Sequence, residues 1–172
     1  MAKVLLLGVT LAVLQQWCGI NVIFNYAQEI FAAAGYQASG ILFNIVITGT
    51  VYVVFTLIAL GAIDRYGRRF LLLSGVSALV LIYTVLGTFY HLHLQGKPML
   101  VLVLAAIACY SLSLAPVTWV VIAEIFPNRV RGSAMSIAVT ALWTACFVLT
   151  YTFPALNATL GAAGVFWTYA TI

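Results

Sequence analysis

At 172 residues, with 65% hydrophobic and only 6% charged side chains, the chain is not a water-soluble domain. Such a domain carries about 25% charged residues, and this one would leave far too much apolar surface in water. The net charge of +4 is small and clustered, with no basic stripe interleaved with aromatics, which argues against nucleic acid as a partner.

Long apolar runs give five complete membrane spans and a partial sixth, at about residues 4–31, 41–63, 70–90, 99–123, 133–156 and 162–172. The chain therefore reads as an all-α, multi-pass membrane protein surrounded by lipid. The first run could be mistaken for a secretory leader, but it continues past a polar cluster without a cleavage site and reads as a permanent span. In the fourth run Pro116 predicts a kink. The sixth run reaches only about 16 Å as a helix, against about 30 Å of hydrocarbon, so the sequence reads as cut within its last span. Cys18, Cys109 and Cys146 all fall in apolar runs and read as small buried thiols, with no metal site and no cofactor expected.

Lysine and arginine fix the topology. If odd-numbered spans enter from the cytoplasm, Lys3, Arg65, Arg68, Arg69, Arg129 and Arg131 lie inside and only Lys97 lies outside.

The first span carries the most informative stretch, Gln15-Gln16-Trp17-Cys18-Gly19-Ile20-Asn21. Lipid offers no hydrogen-bond partners, so amides inside it face either a polar cavity or another helix. Gln15 and Gln16 point about 100° apart on a helix, so both cannot face lipid comfortably. Asn21 follows Gly19, where loosened backbone would add free carbonyls to the same place. Amides both donate and accept, which suits an uncharged ligand with many hydroxyls better than an ion. The rival reading is interhelical bonding, worth about 0.6–2 kcal/mol.

In the fourth span, Trp119 follows Pro116 by three residues and offers a flat ring with an N–H that suits a sugar face. Two short loops expected on the cytoplasmic side each join an acid to arginines: Asp64-Arg65-Tyr66-Gly67-Arg68-Arg69, and Glu124 through Arg129 to Arg131. A carboxylate at a helix C-terminus is disfavoured by the dipole, so Asp64 and Glu124 are expected to have cationic partners. Such pairs would latch the cytoplasmic side; alone, each would be a weak surface pair. No nucleophile with a base, no paired carboxylates and no phosphate loop is visible, so no enzyme activity is expected.

Four motifs in order, Gln15-Gln16-x-x-Gly19-Ile20-Asn21, Asp64-Arg65-x-Gly67-Arg68-Arg69, Pro116-x-x-Trp119 and Glu124-Ile125-Phe126-Pro127-x-Arg129-x-Arg131-Gly132, resemble the sugar porters of the major facilitator superfamily. The resemblance covers the whole chain and is to the C-terminal six-helix half. It implies a major-facilitator-type helical bundle in the plasma membrane that moves a monosaccharide by alternating access. It also implies a missing N-terminal six-helix half as partner. Gln15, Gln16, Asn21 and Trp119 would bind the sugar, Tyr26 would gate the outer side, and Asp64, Arg65, Arg68, Arg69, Glu124, Arg129 and Arg131 would form the latch.

Departures from the family pattern are Asn25 in place of an aromatic beside Tyr26, Tyr52 in place of an amide in the second span, and Leu142 and Cys146 where amides flank the tryptophan at 143. The alternative reading is a membrane scaffold that keeps the fold without transporting.

Overall fold

A computed structural model describes residues 2–33, 38–94 and 96–172. The first apolar run is three helices end to end: α1 (Ala2–Trp17), α2 (Ile20–Asn25) and α3 (Ala27–Ala33). The second and third runs form α4 (Ala38–Tyr66) and α5 (Arg68–His91), joined through Gly67 alone. The fourth is α6 (Lys97–Leu112) followed by α7 (Leu114–Ile125), and the rest is α8 (Arg131–Thr171). Among the described residues there are no strands, and five segments are long and apolar enough to cross a membrane.

Breaks fall where the backbone chemistry requires them. At Gly19 the chain turns through φ 80°, a left-handed conformation open to glycine at little cost. The break in the fourth run falls at Ser113, three residues before Pro116. A proline acts on the carbonyl four residues back, here that of Leu112, so the expected kink appears one turn ahead of the ring itself. The 41 residues of α8 would reach about 60 Å as one straight helix, twice the hydrocarbon thickness. Gly161, at φ 68° and ψ 171°, breaks it into the fifth crossing and the partial sixth.

Two packed regions, with a small third of Ile63, Leu71 and Val117, hold the bundle together. The larger gathers Ile20, Ile23, Phe31, Tyr83, Leu86, Met99, Ile107 and Phe166 from the first, third, fourth and sixth crossings. The smaller joins Ala12 of α1 to Ile122, Phe126, Ala138 and Leu142. Many leucines and valines of α4, α5 and α8 point outward, as lipid contact allows. Lipid tails are as apolar as leucine, so helices associate through close packing rather than water exclusion, and small residues mark the contacts. Gly8 faces the ring of Phe126, Gly75 faces the side chain of Ser113, and Gly87 faces Trp167.

The close approaches can be tested by adding a side chain. A Cβ at Gly75 would collide with Ser113, whereas one at Gly49 meets nothing within 4 Å. Gly75→Val is therefore expected to cost about 1–3 kcal/mol, seen as a lower melting temperature in detergent, while Gly49→Val leaves the midpoint close to that of the parent.

Candidate functional site

The break at Gly19 determines where the amides go. Gln15 and Gln16 are only 4% and 5% exposed, so neither side chain is spent on lipid. They turn in different directions, as adjacent helical residues must. Gln15 Nε2 donates to the Tyr110 hydroxyl of α6 at 2.5 Å. Gln16 Oε1 accepts from Asn21 Nδ2, a bond that bridges the break from α1 to α2. The Cys18 thiol donates to the Gln15 carbonyl at 2.9 Å. On the far side of the break, the Tyr169 ring packs against Gly19 so closely that any side chain there would displace it.

Gln15 Oε1 has no hydrogen-bond partner among the described residues, and neither do the hydroxyls of Tyr83, Thr118 and Tyr169. All four residues line one cavity of about 250 Å³ between the first, third, fourth and sixth crossings. Buried polar groups are nearly always satisfied in folded proteins, so this wall has hydrogen-bonding capacity to spare.

The end of the first crossing away from the arginine loops is held from several sides. Tyr26 sits between α2 and α3, and its hydroxyl donates to the Thr150 carbonyl at 3.1 Å. Its ring lies 4.4 Å from that of Phe153. Asn25 Nδ2 reaches Thr150 Oγ1 at 3.3 Å. Phe24 meets Tyr52 of α4 edge to face, centroids 5.4 Å apart, and Tyr90 donates to the Ile30 carbonyl at 2.9 Å. The residues at the departures are thus engaged: Asn25 and Tyr52 touch neighbours across the bundle. Leu142 is packed in the smaller core and Cys146 is half-buried.

Trp119 stands apart from the amides. It is 38% exposed on α7 and has no hydrogen bond or ring contact among the described residues, while its neighbour Thr118 is fully buried.

At the end of the bundle carrying the arginine loops, Arg68 Nη2 meets Glu124 Oε1 at 2.9 Å and joins the two loops. Both side chains are substantially exposed, so the pair contributes about 0–1 kcal/mol. Arg131 Nε donates to the Phe126 carbonyl at 3.3 Å, closing the turn before α8. Arg65 lies over the Tyr66 ring at 5.6 Å. Asp64, Arg69 and Arg129 are exposed and make no ion pair among the described residues. Of the seven latch candidates, the fold joins two.

The profile of the family described as "Sugar (and other) transporter" matches residues 1–172. The chain belongs to this family of the major facilitator superfamily. It is 36% identical over 154 residues to the D-xylose-proton symporter of Escherichia coli, an alignment covering 90% of this chain and 31% of that one. To the glucose facilitated diffusion protein of Zymomonas mobilis it is 36% identical over 171 residues, covering 96% and 36%. The solved structure of the proton:xylose symporter XylE bound to 6-bromo-6-deoxy-D-glucose superposes with a TM-score of 0.88 at 34% identity, covering 97% of this chain and 36% of that one. The chain thus spans about a third of the length of the curated relatives it matches. Members of the family are integral, multi-pass membrane transporters rather than enzymes, and the bundle has their fold.

Two residues that contact the candidate site of this sugar transporter family member escaped the sequence reading, Tyr110 and Thr150. A hydroxyl inside an apolar span is a weak signal, because most such groups bond back to their own helix. Thr48, Thr56, Thr88 and Thr144 all do so to the carbonyl four residues earlier. Thr150 did carry a readable mark, its place four residues before Pro154.

The Gln16–Asn21 bond can be tested directly. Asn21→Leu leaves a buried Gln16 oxygen without its donor, an expected loss of about 1–3 kcal/mol. Thermal unfolding in detergent measures it, and adding Gln16→Leu is expected to cost less than the sum of the two single changes.

Proposed function

We propose that the intact protein moves a small polyhydroxylated solute, a monosaccharide, across the plasma membrane by alternating access, with this chain as the C-terminal half. The observation that carries the reading is the amide cluster of Gln15, Gln16 and Asn21 at a helix break inside the bilayer. Interrupted helices with polar groups beside the break are how transporters hold polar solutes at membrane depth. In this reading Gln15, Gln16 and Asn21 bond sugar hydroxyls and Trp119 offers its half-exposed ring as a stacking face. Tyr26 gates the outer side. Arg68 and Glu124 form the inner latch, and Asp64, Arg65, Arg69, Arg129 and Arg131 complete it against the N-terminal half.

The chain's three acids, Glu29, Asp64 and Glu124, all fall at span ends. A membrane-embedded proton acceptor therefore comes from the other half, or the transport is uncoupled; the two relatives above are named for these two alternatives.

The test is uptake of a radiolabelled sugar panel into vesicles, with this chain alone and joined to a six-helix N-terminal half. Saturable uptake by the joined form only is expected. Gln16→Ala or Asn21→Ala in the joined form is expected to raise KM roughly three- to tenfold, as loss of one hydrogen bond predicts. Uptake equal to the parent at matched expression would remove these amides from the site. Glu124→Gln is expected to increase labelling of cysteines placed on the inner side, and unchanged labelling would remove the pair from the latch.

A further inference from the structure

Pro154 lies within α8. Having no N–H, it leaves the carbonyl four residues earlier without its helical donor, and that carbonyl belongs to Thr150. An unpaired carbonyl at membrane depth is costly, and in proline-bearing membrane helices neighbouring groups re-satisfy it. Here the donor is the Tyr26 hydroxyl of the first crossing, at 3.1 Å.

Two more contacts converge on the same short segment. Asn25, where an aromatic would stand in the family pattern, donates to the Thr150 hydroxyl at 3.3 Å. The Tyr26 ring lies against Phe153, the residue before the proline. Tyr26 is itself a break: α2 ends at Asn25 and α3 begins at Ala27. An interruption in one helix therefore meets the backbone acceptor that the partner helix cannot satisfy for itself.

We propose that Thr150 and Pro154 are positioning residues for the outer gate. Pro154 frees the Thr150 carbonyl, and the freed carbonyl holds Tyr26 in its closed place, with Asn25 and Phe153 fixing the approach. This rests on the gating role of Tyr26 proposed above. The gate opens when the hydroxyl leaves the carbonyl, and it recloses because Pro154 has no N–H to take that place.

The experiment uses the intact transporter without its native cysteines and with a reporter cysteine at Thr144. That residue is exposed on α8, about 9 Å nearer the membrane centre than Thr150. Its rate of labelling by a membrane-impermeant maleimide from outside reads the gate. Tyr26→Phe, which removes one oxygen, is expected to raise that rate roughly two- to tenfold. Pro154→Ala restores an N–H for the Thr150 carbonyl, so in that background Tyr26→Phe is expected to change the rate by less than about twofold. A merely structural tyrosine would show no such dependence on residue 154.

Equal acceleration by Tyr26→Phe with and without Pro154→Ala, or none in either background, overturns the positioning. Sugar uptake by the parent in the same vesicles keeps the two readings apart. Uptake with uncoupled labelling overturns the positioning alone. Coupled labelling without uptake supports the positioning of Tyr26 and overturns transport.

Discussion

Everything in this bundle answers to a broken backbone inside lipid. The first crossing stops being a helix after Trp17 and resumes at Ile20, and every N–H and C=O freed there must find a partner within the protein. The Gln16–Asn21 bond spans the gap, the Cys18 thiol takes the Gln15 carbonyl, and backbone bonds from Gly19 and Val22 close the turn. The same short stretch then reaches the second crossing through Phe24, the fourth through Gln15 and the fifth through Asn25 and Tyr26. A span interrupted this way is no longer a rod but a junction.

The strengths of the contacts differ between the two ends of the bundle. At the arginine-loop end the Arg68–Glu124 pair is exposed and weak, so little energy separates its made and broken forms. At the other end the contacts are tyrosine hydroxyls on main-chain carbonyls, Tyr26 on Thr150 and Tyr90 on Ile30. Breaking the Tyr26 bond leaves the Thr150 carbonyl without a donor, since Pro154 has no N–H to offer it, and this costs more than separating two solvated charges. The end away from the arginine loops is thus held by fixed geometry, while the arginine-loop end is held by solvated charge.

The architecture is largely legible in the sequence because lipid imposes a simple rule: a span must be long, apolar and hydrogen-bonded within itself. The crossings and the polar break at Gln15–Asn21 follow from that rule. Pairing is what sequence does not reveal. Nothing local says that Gln15 turns to Tyr110 and Gln16 to Asn21, since both choices follow from which neighbouring helix lies on which side. The partner expected for Asp64 is missing among the described residues for a related reason. A charged group in a hydrated loop gains too little from any single geometry for sequence to dictate it. The kink expected from Pro116 falls one turn before it, because the residue that carries the mark is not the residue that loses its bond.

The elbow at Gly161 has a mechanical consequence. One residue joins the fifth crossing to the sixth, so there is no slack between them. The fifth carries Thr150, which holds Asn25 and Tyr26, and the sixth carries Tyr169, whose ring covers Gly19. The interrupted helix is therefore gripped between the two arms of a single folded strut, as in a pair of callipers. Spreading the arms would free the first crossing at two places at once, at Gly19 and at Asn25–Tyr26.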